Sequence, residues 1–120
     1  MSSHIPTSID LDQSERILDI AFDDGSQFKL SCEYLRVYSP SAEVQGHGPG
    51  QEILQIGKES VNILDIEPVG NYAVKLVFDD GHDSGLYTWQ YLHELGSNQE
   101  EYWEVYLNKL EEAGVRRVQD

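Results

Sequence analysis

The segment Ile20-Ala21-Phe22-Asp23-Asp24-Gly25 returns as Leu76-Val77-Phe78-Asp79-Asp80-Gly81, and each copy leads to a Tyr-Leu pair, Tyr34-Leu35 and Tyr91-Leu92. Each copy spells strand, Asp-Asp-Gly turn, strand, helix. A single echo is a pseudo-repeat inside one domain, because stacked arrays need at least about three units to bury their faces. Alternation fixes the first register. Leu18, Ile20 and Phe22 share one strand face and Phe28 and Leu30 share the returning one, so the apolar sets meet only across a loop with an odd number of residues. A three-residue loop Asp23-Asp24-Gly25, with Gly25 left-handed, pairs Ile20 with Phe28 and Leu18 with Leu30. The same logic in the second copy pairs Val74 with Leu86 and sets His82 opposite Phe78.

The remaining elements follow from cap and period signals. Ser31 caps a short helix through Val37, and Ser39-Pro40 suits the start of a further turn reaching Val44. Glu52–Ile56 and Val61–Val69 read as strands, the second turning at Gly70-Asn71. Thr88 caps a helix ending at Gly96, and Ser97 with Glu100 spells a capping box for a last helix that stops at Gly114. In that helix Trp103, Tyr106, Leu107 and Leu110 make an apolar stripe away from Glu100, Glu101, Glu104, Glu111 and Glu112. The expected fold is α+β: a mostly antiparallel sheet of two hairpins plus short strands, helices packed over it, and a C-terminal amphipathic helix. Residues 1–8 read as a flexible tail, 9–114 as one domain and 115–120 as a frayed end.

Composition sets the classes of partner. The 120 residues carry 22 Asp and Glu against 8 Lys and Arg, a formal net charge of −14. Such a chain is repelled by nucleic-acid backbones and anionic lipid. No apolar run approaches the length of a membrane span, and the N-terminus lacks the basic start and apolar stretch of a targeting peptide, so a cytoplasmic location is expected. The single cysteine, Cys32, excludes an internal disulfide and reads as core. Gly57-Lys58 is not a phosphate loop, since Glu59 stands where Ser or Thr must reach magnesium. The Asp-Asp-Gly turns lack the alternating carboxylates and closing Glu of a calcium loop.

Histidine is the residue type that serves base, proton switch and ligand alike. His4 falls in the tail and His93 on a helix between Leu92 and Glu94, and both read as solvated. His82 lies between Asp80 and Asp83, whereas His47 sits in the glycine-rich loop Gly46-His47-Gly48-Pro49-Gly50. No Ser or Cys nucleophile spacing accompanies either one, and no i, i+4 His pair is present. An enzyme is not expected.

At Tyr34-Leu35-Arg36 followed by Ser39-Pro40-Ser41, and at Asp80-Gly81-His82-Asp83-Ser84 followed by Tyr91-Leu92, the chain resembles the gamma-butyrobetaine hydroxylase-like N-terminal domain. The resemblance covers about Ile9–Leu95, and Gly46 to Gln51 resembles the small stand-alone bacterial members, long grouped as a domain of unknown function. In the eukaryotic carnitine-pathway dioxygenases such a domain precedes the catalytic barrel and carries a zinc held by three cysteines and a histidine. Related copies are fused to ATP-dependent iron–sulfur carriers. Carried onto this chain, the cysteine motif falls on Ser39, Ser41 and Val44, and the histidine on His82. Hydroxyls and a valine do not replace thiolates. The resemblance therefore implies the scaffold with no metal and no other cofactor, and the oxygenase iron triad belongs to a barrel that has no counterpart here. The expected function is a non-catalytic protein-interaction or scaffold module, linked through the resemblance to iron–sulfur carrier or oxygenase systems. Its expected binding surface is Arg36, Ser39, Ser41, His47, His82 and Asp83, facing an unidentified protein partner. The alternative is a metal- or small-ligand-binding protein using His47, His82 and nearby carboxylates.

Overall fold

The Asp-Asp-Gly turns close as the alternation requires. In this computed structural model, which describes residues 4–41, 44 and 54–116, strands β1 (Pro6–Asp12), β2 (Ile17–Phe22) and β3 (Gln27–Ser31) form one antiparallel sheet in that order. Leu18 faces Leu30 and Ile20 faces Phe28, and the Phe22 amide donates to Ser26 O across the three-residue loop at 2.9 Å. Gly25 has φ +88° and its counterpart Gly81 has φ +90°, with open space where a Cβ would stand. Backbone strain alone is at stake there. Gly25→Ala and Gly81→Ala are each expected to cost about 1 kcal/mol in urea denaturation, and losses below about 0.3 kcal/mol at both would mean the hairpins close otherwise.

The second sheet, β4 (Ile63–Val69), β5 (Ala73–Phe78) and β6 (Leu86–Thr88), is also antiparallel. Here the register departs from expectation. Phe78 does face His82, its amide donating to His82 O at 3.0 Å, but Val74 pairs with Tyr87 and Leu86 with Lys75. One extra residue has entered the returning strand between His82 and Leu86. The cause lies at Gly85, where any Cβ would collide with Ser39 Oγ and crowd Pro40 and Tyr87. The slip turns Leu86 out to solvent and buries Tyr87, whose hydroxyl donates to Leu35 O at 2.5 Å. Such a shift by one residue exchanges faces for everything beyond it.

Among the described residues the sheets are covered by helices α1 (Cys32–Val37), α2 (Trp89–Ser97) and α3 (Gln99–Glu112). Ser31 caps α1 by accepting from the Tyr34 amide at 3.1 Å, and Thr88 caps α2 by accepting from the Tyr91 amide at the same distance. The capping box does not form. Ser97 is the last residue of α2 and α3 follows with Asn98 alone between them, so the Asn98 side chain donates back to Glu94 O at 2.9 Å instead of capping forward. The apolar stripe of α3 does face inward, burying Tyr106 and Leu110, and Gly114 (φ +72°) ends the helix.

The echo is a pseudo-twofold relation in space. Tyr34 on α1 donates through its hydroxyl to Leu95 O near the end of α2, at 2.7 Å, and Tyr91 on α2 donates to Tyr38 O just past α1, at 2.5 Å. Each half latches the other. One core unites them: Leu18, Ile20 and Leu30 of the first sheet meet Ile63, Leu76, Phe78 and Tyr87 of the second, closed by Tyr34, Leu35, Leu92 and Leu95. Cys32 is fully buried in it, and burial pushes its thiol up to about 11, so it stays a thiol. Two further expectations change. The stretch read as a tail contributes Pro6, Thr7 and Ser8 to β1, where Ile9 and Leu11 pack against the core. Of the expected strand Glu52–Ile56, residues 54–56 are described and are not strand. Of the turn expected from Ser39 to Val44, residues 39–41 and 44 are described, and the Val44 amide donates to Ser41 O at 3.0 Å.

Candidate functional site

The slip before Leu86 decides what surrounds His82. Its imidazole is only 4% exposed, tilted against Phe78 with ring centroids 6.0 Å apart, and its Nε2 hydrogen-bonds Ser39 Oγ at 2.8 Å. Ser39 is itself fully buried. Beside it Ser41 Oγ bonds Ser84 Oγ at 2.7 Å. The chain leaving α1 is thus joined to the second hairpin by two polar contacts side by side.

Asp80 supplies the charged half of this joint. Its Oδ1 accepts from the His82 amide at 3.1 Å, while Oδ2 accepts from Arg36 Nε at 2.9 Å and Lys58 Nζ at 2.7 Å. Arg36 also donates through Nη1 to Gln55 Oε1 at 3.0 Å. Burial alone would raise the Asp80 carboxyl, but Lys58, the His82 amide and Arg36 outweigh it and hold the group at about 2. The pair is a partly buried, doubly compensated ion cluster, well beyond a surface salt bridge in order.

Two residues of the expected partner-facing patch, Arg36 and His82, are buried and not exposed. Arg36 is 7% exposed, because α1 buries every one of its residues; it faces Asp80 and Gln55. His82 is buried for the reason above. Asp83 is exposed next to it, and His47 lies outside the described residues. What the sequence did place is the convergence itself, since Arg36, Ser39 and Ser41 do meet the hairpin carrying His82.

This is also the locus onto which the resemblance carries a zinc site, and the donors do not fit that ion. Ser39 and Ser41 offer neutral hydroxyls, Val44 offers no donor atom, and His82 Nε2 is hydrogen-bonded to Ser39 Oγ. A serine–histidine hydrogen bond joins the two elements at this point.

Next to this joint, α1, α2 and α3 enclose a groove of about 340 Å³, lined by the rings of Tyr38, Tyr91, Tyr102 and Tyr106 with Val37 and Leu54. The tyrosine hydroxyls are engaged within the protein: Tyr38 donates to Tyr102 O at 2.7 Å and Tyr106 to the buried Glu33 carboxylate at 2.8 Å. The rings are left as the groove surface. Gln55, Glu94 and Lys109 add polar groups to it. The amphipathic pattern of α3 points to Tyr106 as core and does not show the groove, because Tyr38 just past α1, Tyr91 on α2 and Tyr102 on α3 meet only in the fold.

Residues 9–93 match the family described as gamma-butyrobetaine hydroxylase-like, N-terminal. The chain belongs to that family. Two solution structures determined by NMR are similar to it: one at 56% identity, covering 97% of this chain and 86% of the other with TM-score 0.82, and one at 46% identity, covering 99% and 94% with TM-score 0.84. A crystal structure from Acidithiobacillus ferrooxidans ATCC 23270, of a protein with unknown function in the DUF971 family, is 37% identical over 76% of this chain and 91% of that one, with TM-score 0.64. Among curated proteins none matches. The match is to the small N-terminal domain and not to an oxygenase catalytic domain. No described helix is long and apolar enough to cross a membrane.

Proposed function

We propose that this gamma-butyrobetaine hydroxylase-like domain is a non-catalytic binding module whose partner, a protein with a cationic face, docks a side chain or short segment into the tyrosine groove. The observation that supports the reading is the groove itself: a half-apolar concavity floored by rigid aromatic rings whose hydroxyls are already bonded, so binding costs little side-chain ordering. Aromatic anchors of this kind carry most of the energy of protein interfaces. The charge of −14 adds long-range attraction to a basic partner. His82, Ser39, Arg36 and Asp80 are engaged with one another and serve to hold α1 and the second hairpin in place, which in turn shapes the groove through Val37 and Tyr38.

The groove volume also suits a small ligand, since sites for such molecules run from about 300 Å³ upward. Partner capture with groove variants separates the readings. Tyr102→Ala and Glu94→Lys are expected to weaken a partner isolated with the wild-type protein tenfold or more, whereas Asp10→Asn and Asp19→Asn on the first sheet are expected to change it less than threefold. Retention of the partner by both groove variants would remove the groove from the interface.

A further inference from the structure

The pseudo-twofold relation gives the Asp80 cluster a counterpart in the other half, at Asp24. Asp24 Oδ1 accepts from the Ser26 amide at 2.9 Å as Asp80 Oδ1 accepts from the His82 amide. The position of Arg36 on α1 is taken on α2 by His93, whose Nε2 lies 2.9 Å from Asp24 Oδ2. Where Lys58 reaches Asp80 Oδ2, His4 Nδ1 stands 3.4 Å from Asp24 Oδ2. The two clusters differ in one respect. Asp80 is compensated by two permanent cations, whereas among the described residues Asp24 faces two imidazoles.

We propose that His4, Asp24 and His93 form a binding site for a divalent transition-metal ion of the zinc class, with His4 Nδ1, His93 Nε2 and an Asp24 carboxylate oxygen as ligands. These ligand atoms all lie within 4.8 Å of one another. Two ligands on a tetrahedral zinc are about 3.3 Å apart, given bonds of about 2.0–2.1 Å, so modest side-chain rotation closes the set. His4 Nδ1 is the part that must turn. It is buried and, among the described residues, has no hydrogen-bond partner despite its closeness to Asp24, and its ring stacks on His93 with centroids 3.6 Å and planes 10° apart. An unsatisfied buried ring nitrogen is a group that gains from an ion.

The surroundings are those of a held ligand. His93 is fixed edge-on by Phe22 and Phe28, with centroids at 4.9 Å and 5.5 Å. Its other nitrogen, Nδ1, meets Ser97 Oγ at 3.3 Å, the outer hydrogen bond that orients metal-bound imidazoles. The Ser26 hydroxyl bonds Asp24 and is the main reason its carboxyl lies well below the ordinary range, so the ligand is ionised at any physiological pH. A groove of about 900 Å³ adjoins the cluster, bounded by Tyr72, Thr88, Trp89 and Ser97, and leaves room for water to complete the coordination. Two imidazoles with one carboxylate select zinc, nickel or cobalt over calcium and magnesium, which take oxygen shells.

Zinc sulfate titrated into untagged protein, followed by calorimetry and by the histidine-ring ¹H–¹⁵N spectrum, tests the site. One zinc per chain is expected, with dissociation constant below about 100 µM, with His4 and His93 ring nitrogens shifting while those of His82 stay in place. His4 lies outside the strands and helices, so His4→Ala is expected to keep the fold; it and Asp24→Asn are each expected to weaken zinc tenfold or more. Calcium at millimolar concentration is expected to leave both rings unmoved. Absence of binding, binding unchanged within twofold in His4→Ala, zinc moving His82 in place of His4 and His93, or calcium reproducing the zinc shifts would each overturn the assignment.

Discussion

Replacing Arg36 with alanine is expected to lower the stability of the fold by about 3 kcal/mol at neutral pH, as removal of one partner from a buried ion pair does. The guanidinium is 7% exposed, so the substitution opens a cavity beside α1. It also withdraws one of two cations from Asp80 and the donor to Gln55 Oε1. The effect has a pH signature. Asp80 is held at about 2 in the fold against an ordinary 3.8, so the stabilisation is complete above the ordinary value and is lost as pH falls through about 2. The gap between wild type and Arg36→Ala, followed by urea denaturation, is therefore expected to be widest at neutral pH and to narrow below about pH 4. A loss under about 0.5 kcal/mol at neutral pH is what an exposed contact residue gives, and would return Arg36 to the surface reading.

The first hairpin was legible because every constraint agreed. Alternating Leu18, Ile20 and Phe22, the answering Phe28 and Leu30, and a glycine where the loop needs positive φ admit one register. The second hairpin carries the same turn, yet Leu86 and Tyr87 are both apolar and alternation alone cannot choose between them. The choice is made by Gly85, whose missing Cβ lets the strand press against Ser39 across the fold. Tertiary contact settled a local ambiguity. β1 was hidden for a different reason: Pro6, Asp10 and Asp12 are typical of an edge strand kept from further pairing, and only Ile9 and Leu11 point to a core. The Ser97–Glu100 spacing had the right residues for a cap, but with α2 and α3 nearly continuous Ser97 is still inside α2, its hydroxyl turned to His93.

At the candidate site the convergence of Arg36, Ser39 and Ser41 on His82 was legible and its burial was not. A histidine between two aspartates reads as surface from neighbours alone. What buries it is the extra residue ahead of Leu86 and the packing of α1 over the hairpin. The histidines at 4 and 93 were set aside for the same local reasons, a short polar terminus and a helix with a glutamate next in line. Their meeting at Asp24 depends on β1 pairing with β2, which brings the N-terminus beside the first turn, where the Ile5 amide donates to Asp24's neighbour Asp23.

The second large effect, and the most direct test of the account, is at His82 and Ser39. If their hydrogen bond joins α1's exit to the second hairpin, His82→Ala should cost about 2–3 kcal/mol through the cavity and the lost hydrogen bond. Ser39→Ala should cost about 1–2 kcal/mol. A double-mutant cycle by urea denaturation, with and without excess chelator, measures the joint itself. The expected result is a coupling of about 1 kcal/mol or more that chelator leaves unchanged. Additivity within about 0.3 kcal/mol, or a coupling that vanishes on chelation, would contradict it.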